Sequence, residues 1–178
     1  MDKLTIATVL IFLSLCSFAQ ENSFKKQLEV SLGLSDLGGF MDYNNVKGVY
    51  NASFNYKFSK YFSSGAQFGY GQLQLYNYLT DENIVGGHIY RYAATGNFHL
   101  TPLIISHDNP KMDLFIKGKI GGNTTINQDP NSNSGTKNRI DYGCYFGVKY
   151  NPIKSLGVYV ELGYGNISYS QFGISHTF

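Results

Sequence analysis

Eight segments of this chain alternate apolar and polar residues with a period of two, and in every segment one parity carries no charge. The segments lie near 27–35, 49–58, 65–71, 90–100, 114–121, 139–150, 157–165 and 172–178. In the first, Leu28, Val30, Leu32 and Leu34 alternate with Glu29, Ser31, Gly33 and Ser35. In the sixth, Ile140, Tyr142, Cys144, Phe146, Val148 and Tyr150 alternate with Arg139, Asp141, Gly143, Tyr145, Gly147 and Lys149. Strict alternation marks a strand with one face in an apolar medium. No stretch beyond residue 20 repeats apolar residues at helical spacing over three turns. No proline falls inside a segment, as ladder hydrogen bonding requires. The chain is therefore expected to be all-β.

The two parities say what the apolar medium is. The apolar one holds 36 positions, of which only Gly96, Gly118 and His176 are not apolar. The other holds 37, and it collects all nine charges: Glu29, Lys57, Arg91, Lys117, Lys119, Arg139, Asp141, Lys149 and Glu161. A soluble sandwich or lipocalin-like barrel would also alternate, with its polar face in water. Eleven of the 37 polar-parity positions are glycine, however, and glycine weakens a solvated strand. It suits the crowded inside of a narrow barrel instead. Aromatic residues gather near the segment ends on the apolar parity (Tyr50, Phe58, Tyr70, Tyr90, Tyr150, Tyr164, Phe178), as in the girdles of transmembrane barrels. In lipid every peptide group must be paired, so strands that span must close without an edge. The expected fold is a closed antiparallel eight-stranded transmembrane β-barrel.

Composition agrees. Charged residues are 15% of the chain, against about 25% in a typical soluble domain. A net charge of +2 leaves no nucleic-acid footprint, and two cysteines cannot build a disulfide scaffold. Residues 1–19 have the build of a secretory signal peptide. Lys3 precedes the apolar run Leu4 to Leu15, and Ser17 and Ala19 set a small-residue cleavage site before Gln20. That run is too short to span a bilayer as a helix. The barrel is then residues 20–178. With the N-terminus periplasmic, 36–48, 72–89 and 122–138 are outward loops, and a short fourth lies around Asn166. Residues 59–64 and 151–156 are tight inward turns, and 101–113 is a longer inward connection.

The last segment, Gly173-Ile174-Ser175-His176-Thr177-Phe178, follows Glu161-Leu162-Gly163-Tyr164-Gly165 and ends on an aromatic residue. It resembles the closing hairpin of the small eight-stranded outer-membrane barrels, the OmpX-like and OmpA-transmembrane-like domains. The resemblance implies an integral protein of the outer membrane of a Gram-negative bacterium, in contact with membrane lipid and lipopolysaccharide. It also implies that Phe172, Ile174 and Phe178 form the signal read by the barrel assembly machinery.

The sequence offers little chemistry. His88, His99, His107 and His176 have no metal-ligand spacing, and no nucleophile-elbow or phosphate-loop motif occurs. His99-Leu100-Thr101 places a hydroxyl near a histidine with no orienting carboxylate evident. No cofactor is expected and no enzyme activity, a lipid-modifying barrel enzyme being the outlying alternative. The inward parity carries six cations against three anions. An eight-stranded barrel is just wide enough to be filled by side chains, so these are expected to form a plug of ion pairs rather than a pore. Glu161 is expected at its centre, paired with Arg91, Lys117, Lys119, Arg139 or Lys149. The function read from this is membrane integrity or surface interaction through the extracellular loops, with an unidentified surface ligand. A narrow channel or small-solute transporter is the alternative.

Overall fold

The alternation is the pleat of a sheet that closes on itself. The structure, a computed structural model, describes residues 27–35, 46–77, 82–105, 111–127, 135–165 and 168–178. The signal peptide at 1–19 and the middle of each outward loop lie outside the described residues. Eight strands form one barrel: β1 (Gln27–Ser35), β2 (Val46–Lys57), β3 (Phe62–Asn77), β4 (Glu82–His99), β5 (Met112–Asn127), β6 (Thr136–Ile153), β7 (Leu156–Gly165) and β8 (Ser170–Thr177). Each strand pairs antiparallel with the next, and β8 returns to β1. The seam runs from Glu29↔Thr177 to Ser35↔Gln171. A single helical turn, α1 (Thr101–Ile104), joins β4 to β5. Thr101 is buried, and its Oγ1 accepts a hydrogen bond from the Leu114 amide at 2.6 Å.

Side-chain direction follows the parities. Leu32, Phe54, Phe68, Ile120, Phe146, Leu162 and Phe172 are exposed on the outside of the barrel. Ser31, Ser53, Gln67, Arg91, Lys119, Asp141, Glu161 and Gln171 are buried inside it. This is the reverse of a soluble protein, and a bilayer is the medium that makes such an outer face favourable.

The four central strands are longer than the alternation indicated. β3, β4, β5 and β6 run for 16, 18, 16 and 18 residues, where about 9–11 tilted residues cross a bilayer. Residues assigned to outward loops at 72–77, 82–89, 122–127 and 136–138 are therefore strand. The physical reason lies on the outer face, which turns polar there. Tyr70 Oη meets His88 Nδ1 at 2.9 Å, and Thr124 donates to Asn138 at 2.8 Å. Beyond the lipid a ladder no longer needs an apolar outer parity, so alternation stops marking it. The lower end of β2 pairs regularly, but its upper end shifts register between Val46 and Val49. Gly48 sits in that bulge at φ 113°, a left-handed conformation that suits glycine.

Candidate functional site in the barrel lumen

Three inward aromatic residues project into the lumen, each facing glycine on a neighbouring strand. A Cβ at Gly147 would collide with the Phe115 ring, and one at Gly33 or Gly173 with the Tyr159 hydroxyl. Gly143 and Gly165 make room for Tyr145 in the same way. These five glycines of the polar parity are thus sockets for rings. Phe115, Tyr145 and Tyr159 are all buried.

Around these rings the inward charges pair, mostly across an intervening strand. Arg91 on β4 donates to Asp141 Oδ2 on β6 through Nε at 3.0 Å and Nη2 at 2.9 Å. Lys119 approaches the other oxygen of Asp141 at 3.5 Å, and its Nζ lies 5.0 Å from the Tyr145 ring centre. Lys117 on β5 reaches over Gly147 to Glu161 on β7, with Nζ at 3.0 and 3.2 Å from the two carboxylate oxygens. Lys149 on β6 pairs with Glu29 on β1. Neutral groups tie the remaining arc. Arg91 Nη1 reaches Ser35 Oγ at 3.3 Å, Gln67 donates to Gln171 at 2.8 Å, and Gln171 donates to the Tyr159 hydroxyl at 2.9 Å. The first two of these contacts join strands that share no ladder, β4 with β1 and β3 with β8.

At the turn end of the barrel, His99 is held between two partners. Its Nδ1 lies 2.7 Å from Asp113 Oδ2 and its Nε2 lies 3.0 Å from Ser63 Oγ. Asn97 donates to the same hydroxyl at 2.8 Å, and Lys57 lies 3.9 Å from Asp113. Sequence reasoning missed Asp113 because the fifth segment was begun at Leu114. The signal was one step away, since Asp113 shares the parity of Phe115 and Lys117. The serine–histidine–carboxylate order is that of a nucleophilic triad. Acyl transfer also needs donors aimed at an oxyanion; here the side-chain donors beside the triad, Asn97 and Lys57, face Ser63 and Asp113. The arrangement orients His99 and binds β3, β4 and β5 together.

Of the nine charges proposed for the lumen, Arg91, Lys117, Lys119, Asp141, Lys149 and Glu161 are buried, and Glu29 and Lys57 are half-buried. Arg139 is the correction. It has the inward parity but is exposed, near the upper end of β6 where the strand stands beyond the filled lumen. Phe172, Ile174 and Phe178 lie exposed on or just past β8, on the outer face. No cluster of His, Cys, Asp and Glu suited to a metal occurs among the described residues.

No protein-family profile matches the chain, and no curated protein matches it in sequence. Solved structures do. The N-terminal β-barrel domain of Pseudomonas aeruginosa OprF is similar at 13% identity and a TM-score of 0.55, over 85% of this chain and 97% of that one. A de novo designed transmembrane β-barrel is similar at 15% identity and a TM-score of 0.51, over 85% and 95%. Yersinia pestis Ail in a phospholipid bilayer nanodisc gives 16% identity and a TM-score of 0.49, over 86% and 100%. Joined to the closed ladder, the apolar outer face and the charged interior, the first two of these similarities give the chain the fold of an eight-stranded transmembrane β-barrel.

Proposed function

We propose that this protein is a structural and contact protein of the outer membrane. Its lumen is closed by ion pairs, and it works through the surface it raises above the bilayer. The observation that carries the reading is the overhang of β3–β6. Among the described residues, pairing of β2 with β3 reaches Val46↔Leu73, while β3 and β4 continue to Asn77↔Glu82. Among the described residues, β6 and β7 pair from Gly143↔Gly165, while β5 and β6 continue to Ile126↔Thr136. A four-stranded sheet longer than the bilayer requires is a rigid platform for contact, presented on one side of the barrel rim. The test is a strain lacking the protein, complemented with the full chain or with a version in which 74–85 and 124–137 are replaced by short turns. Both should migrate as folded barrels, and only the full chain should restore detergent resistance and surface adhesion. Equal complementation by the trimmed chain would remove the contact reading.

A narrow channel is the second reading, and a specific observation favours it. Ser53 Oγ, Gln67 Oε1 and Ser175 Oγ are buried with no protein partner among the described residues. Buried polar atoms of this kind are commonly met by water. Single-channel recording in planar bilayers separates the two readings, with steady conductance steps supporting the channel.

A further inference from the structure

We infer that the turn end of the barrel is a docking surface for anionic phospholipid headgroups, with α1 and Ile105 as its apolar anchor. This rests on the bilayer-spanning reading above. The apolar outer face does not stop where the ladder stops. Leu103, Ile104 and Ile105 are 61%, 66% and 41% exposed. They lie three to five residues past Leu100, which has the outward parity of β4, and the chain re-enters the barrel through exposed Met112. At the end of β6, next to the β6–β7 turn, Ile153 is 63% exposed. Bulky aliphatic residues this exposed, contiguous with a lipid-facing surface, are favourable where the acyl chains meet the headgroups.

Charge names the headgroup. Each of the three turns carries one lysine among the described residues: Lys60 between β2 and β3, Lys111 before β5, and Lys154 between β6 and β7. Lys111 and Lys154 are exposed, and Lys60 sits with its Nζ 5.0 Å from the Tyr61 ring centre. No Asp or Glu lies among the described turn residues. Among the described residues, Glu29 and Asp113 are the carboxylates at this end of the strands; they are on the inward parity and are engaged by Lys149 and by His99 and Lys57. The described part of the rim is therefore positive outside and neutralised within. A lysine stem lying along apolar surface with its ammonium at the headgroup level is the usual arrangement at such an interface. Apolar burial combined with several cations is also what makes membrane attachment selective for anionic lipid.

The test uses the full folded protein in nanodiscs of phosphatidylcholine with a minor share of phosphatidylglycerol, reading co-retained lipid by native mass spectrometry. The wild type should retain phosphatidylglycerol in preference to phosphatidylcholine. Lys60→Gln, Lys111→Gln and Lys154→Gln should each lower that preference about fivefold. Leu103→Asn with Ile104→Asn should lower total retained lipid of both kinds. Lys137→Gln, at the opposite end, should change neither. Every variant is first checked for heat-modifiable migration, so that loss of folding is not read as loss of lipid. Unchanged selectivity in a folded triple-lysine variant overturns the inference, as does loss of selectivity in Lys137→Gln alone. A wild-type chain that enters no bilayer overturns the barrel reading itself.

Discussion

Glu161 and Lys117 show what a buried pair does in a lumen this narrow. Both are buried, and their contact ties β5 to β7 across β6. Removing one charge leaves the other without compensation, which typically costs about 3–5 kcal/mol in a protein interior. Glu161→Gln should lower stability by the larger part of that figure, and exposed Lys137→Gln by less than about 0.5 kcal/mol. Urea unfolding from vesicles, followed by the folded band on unboiled gels, measures both. The glycine sockets make a second residue-level claim. Gly147→Val should be destabilising because its side chain enters the space of the Phe115 ring. Phe115→Ala in the same chain should recover part of the loss, a coupling that a double-mutant cycle isolates. The charged residues were legible as a set because parity alone turns them inward. Partners were legible only as candidates: Lys117 was one of five cations expected to reach Glu161 and is the one that does, and the choice among them depends on register and barrel stagger. Arg139 was misread for a related reason: parity gives the side a residue faces but not its height along the barrel.

A strand is legible in sequence only over the stretch where its two faces meet different media. That is why β1, β7 and β8 were found nearly to their ends, while β3–β6 were cut short where the outer face became polar. The boundary itself can be tested on one element. Ile116 and Thr124 both have the outward parity of β5. Ile116→Arg should cost about 2–4 kcal/mol, as expected near the bilayer midplane. Thr124→Arg, on the overhang beside Asn138, should cost under about 1 kcal/mol. Phe54→Arg on β2 and Val160→Arg on β7 should behave like Ile116→Arg, since each is about half exposed on the outer face. The same unfolding measurement decides, and equal costs at 116 and 124 would mean that the lipid boundary is misplaced. The helical turn α1 carried no signal. It is four residues long, too short for a helical period to register.

For the molecule as a whole, the fold class was readable because eight charge-free faces have few arrangements in which every backbone group is paired. The function was not, since the same barrel accepts many surfaces and the residues above the membrane follow no period. Two outcomes are expected of the intact protein. It should fractionate with outer membranes and migrate differently on gels before and after boiling. On the proposal that ion pairs and the three rings close the lumen, it should give no steady conductance in planar bilayers. The seam has a further consequence, which concerns assembly in time. Seven consecutive pairings join the first strand to the last, from Glu29↔Thr177 to Ser35↔Gln171. These contacts are separated by almost the entire described chain, so none can form until the final segment has arrived. Until then both outer strands are unzipped edges, which lipid does not tolerate. The chain has no stable half-built form in a membrane. Closure is then expected in one cooperative step, so a cut that removes β8 should abolish insertion altogether rather than yield a seven-stranded barrel.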